Sequence, residues 1–131
     1  MLPKTGKNLS VTNLTKGKLP RLPFMAVKEA ILGKGYDLSV VFASRATLRK
    51  LNRAYRLKDK ATDILSFPLG KIRGEIFISP EEARKESKKF GRNFENFLGF
   101  LFIHGLAHLK GLRHGSKMEE QEIKFRRRFG I

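Results

Sequence analysis

The chain holds three histidines, and all lie within eleven residues: His104, His108 and His114. Three residues separate the first pair and five the second, with Gly111 in the longer gap. Residues four apart share one face of a helix, so His104 and His108 can direct their imidazoles at one ion. Gly111 can end that helix and turn the chain, which brings His114 back from another direction. Three neutral ring nitrogens with an open fourth position make a catalytic zinc site rather than a structural one. There is no cysteine, so thiolate ligation and disulfides are both excluded. The expected cofactor is one zinc ion per chain, although three histidines suit several metals.

A histidine pair on a fixed face needs a rigid carrier. Residues 93–109 predict a helix that is apolar on nearly every side, with Phe94, Phe97, Leu98, Phe100, Leu101, Phe102 and Ile103, and so lies buried in the core. Around it the pattern predicts strands at 8–14, 38–43, 62–67 and 74–79. It predicts further helices at 22–32, from Ser44 onward with Leu48, Leu51 and Tyr55 inward, from Ser79 to about Phe90, and at 117–128. At 131 residues with 40% hydrophobic content, one domain over residues 1–131 is expected. Its fold class is α+β: about four strands in a mixed sheet, with a buried central helix carrying a zincin-like site.

Charge points to the substrate. Lysine and arginine number 28 against 12 acids, a net charge of +16. Such a surface attracts polyanions and favours a polyphosphate over an acidic peptide or a neutral sugar. The first residues lack the apolar core of a signal peptide, and the longest apolar stretch, 97–109, is too short to span a bilayer. A soluble cytoplasmic protein without a membrane partner is the expectation.

The histidine spacing equals that of the H-E-x-x-H-x-x-G-x-x-H metalloproteases, which place a glutamate directly after the first ligand as general base. This chain has Gly105 there. Either the base comes from elsewhere or the metal serves a different electrophile. Three blocks in order then resemble the YbeY family of metal-dependent endoribonucleases. They are Leu51-Asn52-Arg53-Ala54-Tyr55-Arg56 running on through Asp63-Ile64-Leu65-Ser66-Phe67-Pro68, Gly74-Glu75-Ile76-Phe77-Ile78-Ser79, and His104-Gly105-x-x-His108-Leu109-x-Gly111-x-x-His114. Ala107, Leu112 and Arg113 depart from the pattern, and Arg113 replaces an acid beside the third ligand.

The resemblance implies a zinc-dependent endoribonuclease that cuts single-stranded RNA in ribosomal RNA maturation and ribosome quality control. RNA, the ribosome and ribosomal proteins would be its partners, with no DNA expected. It implies that Arg56 acts on the scissile phosphate, a task suited to a planar guanidinium. Asp63 and Glu75 lie in matching strand motifs and are candidates for ligand support or proton transfer. Met118 is a candidate floor of the site, or a core residue. The run Lys124-Phe125-Arg126-Arg127-Arg128 is an RNA contact or a solvated helix end. Attack by metal-activated water and attack by the ribose 2′-hydroxyl both remain open. A small metallopeptidase and a non-catalytic zinc-containing ribosome-binding protein are the competing readings.

Overall fold

Alternation of apolar residues organises one sheet, seen in a computed structural model that describes residues 4–6, 8–19, 21–113 and 115–131. The strands are β1 (Lys4–Gly6), β2 (Leu9–Asn13), β3 (Asp37–Phe42), β4 (Ile64–Gly70) and β5 (Arg73–Ile78). They lie in the order β1-β2-β3-β5-β4. β2, β3 and β5 are parallel, while β1 and β4 pair antiparallel at the two edges, so the sheet is mixed. The four expected strands all form. The short edge strand β1, which carries no apolar alternation in its sequence Lys-Thr-Gly, adds a fifth.

Side chains on successive strand residues point to opposite faces. Leu38, Val40 and Phe42 of β3 and Ile76 and Ile78 of β5 are fully buried on one face. There they pack with α1 (Phe24–Leu32) and α4 (Phe94–Leu109) into the main core. Val41, Leu65, Phe67 and Phe77 turn the other way and form a smaller cluster with Leu48 and Leu51 of α2 (Arg45–Arg56). The remaining helices are α3 (Pro80–Lys89) and α5 (Ser116–Phe129), and both contact α4.

Local chemistry sets the helix ends. Ser44 Oγ accepts from the Thr47 amide at 3.1 Å, Ser79 Oγ from Glu82 at 3.2 Å and Asn93 Oδ1 from Asn96 at 2.7 Å, each satisfying an orphan donor of a first turn. Gly111, at φ +95°, supplies the turn after α4. One expected inward residue is corrected: Tyr55 is 71% exposed, and Asn52 is buried in its place. Asn52 lies one turn after Leu48 and spends its amide on the Lys60 carbonyl at 3.0 Å, which holds the loop after α2. Tyr55 instead meets Phe67 edge-on, with centroids 5.5 Å apart. Among the described residues no helix is long and apolar enough to cross a membrane.

Candidate metal centre

α4 brings the first two histidines together as their spacing requires. The rings of His104 and His108 meet at 89° with centroids 4.7 Å apart, and their Nε2 atoms are 3.1 Å apart. Two ligands of one tetrahedral zinc, at Zn–N of about 2.0–2.1 Å, would place their nitrogens about 3.3 Å apart. The pair therefore fits a shared ion with a shift of a few tenths of an ångström. His114 lies outside the described residues. Among the described residues no three His, Asp or Glu side chains form a metal-holding group.

The other nitrogen of His104 is committed. Its Nδ1–H donates to Glu122 Oε1 at 2.8 Å. Glu122 is 7% exposed and sits on the inner face of α5 between Met118 and Phe125, both buried. A carboxylate on Nδ1 fixes the tautomer and turns the Nε2 lone pair toward its neighbour. The sequence reading missed Glu122. Its signal was there: an acid on the same helical stripe as Met118 and Phe125. Met118 is 1% exposed and is a core residue that, with Gly115, Glu119 and Glu122, also lines a small cavity of about 190 Å³.

Gly105 has a steric cause. A Cβ there would stand 2.9 Å from Ile64 Cδ1, 3.0 Å from Ser66 Oγ and 3.1 Å from Ile76 Cδ1. The position used by the metalloprotease base faces directly into β4 and β5, so a glutamate there would have to displace these side chains.

Ser66 links the centre to α2. Its Oγ donates to the Gly105 carbonyl at 3.4 Å, and its own carbonyl accepts from Arg56 Nη2 at 3.4 Å. Arg56 is exposed at the last turn of α2, so its guanidinium reaches the strand that α4 packs on without being buried. Asp63, at the entry to β4, also lies near. Burial pushes its carboxyl above the usual carboxylate range, and Glu86 adds to the rise. Backbone amides of Asp63 and Ile64 and the nearby His104 oppose it.

Other expected site residues fall elsewhere. Glu75 pairs in register with Ser39 and Phe67, two residues before Phe77, and so stands on the sheet face that carries α2. It is not brought to the histidines; the period of two that buries Ile76 against α4 turns Glu75 away. Phe125, the aromatic in the basic C-terminal run, is 6% exposed and belongs to the core. Lys124, Arg127 and Arg128 remain on the surface, while Arg126 lies half-buried over the ring of Phe100. Arg113 is exposed.

Comparison with known proteins gives the family. The profile of the family "Endoribonuclease YbeY" matches residues 8–129. Proteins of that name are similar to the chain: from Alkaliphilus metalliredigens at 40% identity over 70% of this chain and 66% of the relative, and from Aquifex aeolicus at 35% over 94% and 88%. The chain thus spans just under two thirds of the first relative and most of the second. A Thermotoga maritima protein with a known solution structure superposes with a TM-score of 0.62 at 26% identity, covering 89% of this chain and 85% of that one. With the family's profile running over nearly the whole sheet and all five helices, the chain belongs to the YbeY endoribonuclease family.

Proposed function

We propose that residues 1–131 form one endoribonuclease domain that cuts single-stranded RNA, using one zinc ion held by His104, His108 and His114. The observation that carries this reading is the facing pair of Nε2 atoms 3.1 Å apart, with Glu122 holding the far nitrogen of His104. Zinc in such a site supplies a Lewis acid that polarises a phosphoryl oxygen and brings the pKa of water to about 7. The protein's own residues do the rest. Glu122 orients His104. Arg56, tied through Ser66 to the turn of α4 that holds His104, binds the scissile phosphate and offsets its growing negative charge. Asp63, whose carboxyl burial pushes above its ordinary range, exchanges a proton with the attacking or leaving oxygen. Its raised pKa supports that role, as does its nearness to His104.

The net charge of +16 supports RNA as the substrate, and family membership supports ribosomal RNA maturation and ribosome quality control in the cytoplasm as the setting. The packing at Gly105 weighs against the metallopeptidase reading, because this chain has no side chain there to act as base and a larger one would have to displace Ile64, Ser66 and Ile76. Metal analysis paired with cleavage of a single-stranded RNA by wild type and His108→Ala tests the proposal. The variant should lose both zinc and cleavage; a metal-free variant that cuts at the wild-type rate would overturn it.

A further inference from the structure

At the other end of α4 the surface changes character. Arg84, Lys85, Lys88 and Arg92, with Ser87, Asn93 and Phe94, line an open cavity of about 420 Å³. Four cations face it and no carboxylate does. Only Lys85 has an acidic partner within its own helix, Glu82 at 3.6 Å. Among the described residues Arg84, Lys88 and Arg92 form no ion pair. Arg84 lies over the ring of Phe94 at 3.9 Å, and Arg92 over Phe100 at 4.7 Å while also donating to Asn96. Arg126 from α5 adds a second guanidinium over Phe100 at 5.0 Å. Aromatic faces hold these guanidiniums in place while leaving their charge unneutralised.

Phe90 stands in the chain between Lys88 and Arg92, just before Gly91, whose φ of +63° turns the chain from α3 to α4. Its ring stacks on the buried Phe97 at 5.3 Å and 28°, and Phe97 stacks in turn on Phe100 at 5.6 Å and 14°. Phe90 is nevertheless 57% exposed, so its ring is backed by the core yet open to solvent over much of its surface. Phe90 does not itself line the cavity, but it lies two residues from Lys88 and from Arg92, which do. Cations close to an exposed, supported ring form the pattern that binds single-stranded nucleic acid: phosphates on the cations, a base on the ring.

We propose that this cavity and Phe90 form a second binding site for the RNA strand that is cut at the histidines, an inference that rests on the nuclease reading above. His104 lies eleven residues along the helix from Asn93, the N-cap of α4. At 1.5 Å per residue that is about 16 Å along the axis, or about five nucleotides at the stacked spacing of about 3.4 Å. A strand of about four nucleotides fills the histidine site alone, whereas one of about twenty reaches both.

The test compares kcat and KM on single-stranded RNAs of about four and about twenty nucleotides. It uses wild type, Phe90→Ala, and a double variant with Arg84→Gln and Lys88→Gln at two exposed positions. Each variant should raise KM for the long RNA about tenfold, which for Phe90→Ala is the scale of one lost base stack. Its kcat and its KM for the short RNA should match wild type. The double variant should also flatten the salt dependence of log(kcat/KM) by about 1.4, at about 0.7 per phosphate contact. Kinetics on the long RNA identical to wild type would overturn the second site. So would an equal rise in KM on both lengths, which would place these residues in the cleavage cleft. A wild type that cuts neither RNA would instead overturn the nuclease reading.

Discussion

Helix α4 buries ten of its 16 residues, while α2, on the opposite face of the sheet, buries two of its 12. α4 carries two histidines and no basic residue other than those rings; α2 carries Arg45, Arg49, Lys50, Arg53 and Arg56 and no acid. The difference suits the roles proposed for each. A metal centre needs ligands fixed to within tenths of an ångström, and a packed helix with locked rotamers holds two of them that firmly. A polyanion needs charge that stays hydrated and in reach, and burial would make a guanidinium costly. Ser66 touches both: its hydroxyl meets α4 and its carbonyl meets Arg56.

Among changes that leave the histidines in place, breaking the α2 side should give the largest catalytic effect. Arg56→Ala should cut cleavage by about 10²–10³, the scale of a lost charge-stabilising donor. Zinc content and thermal stability should stay at wild-type levels, because the side chain is exposed. Loss of zinc in this variant would show that the two helices are not separable. Breaking the α4 side sterically comes next. Gly105→Glu, which restores the metalloprotease residue, would press a carboxylate against Ile64 and Ile76 and should lower stability by at least about 3 kcal/mol in a denaturant melt. A stable variant with peptidase activity would reverse the steric account.

A gentler change probes support rather than ligation. Glu122→Gln keeps the volume but weakens the hold on His104 Nδ1, so zinc affinity should fall about 10–100-fold by chelator competition. An unchanged affinity would make Glu122 a packing residue. The smallest expected effect is on Asp63. Its folded pKa lies above the ordinary 3.8, so native and unfolded states bind equal protons below that value. As pH rises, the native state keeps the proton longer, and stability falls until pH passes the folded pKa. Asp63→Asn should remove that fall and raise the melting temperature at neutral pH while lowering cleavage. Melting curves that keep the wild-type slope against pH would rule out Asp63 as its source.

The sequence by itself determined the histidine pair, the helix that carries it, the four long strands and the excess of positive charge. Each rests on short-range pattern: a spacing of four on a helix, a period of two on a strand, a serine or asparagine at a cap. His114 was placed by the same spacing and lies outside the described residues. Only the tertiary structure decided which neighbours each of these meets. Strand register sends Glu75 to the far face of the sheet. The phase of α2 exposes Tyr55 and buries Asn52. The approach of α4 to β4 makes Gly105 a contact point, and the docking of α5 delivers Glu122 to His104. These are contacts between residues distant in the chain, set by how faces pack, and local periodicity carries no record of them.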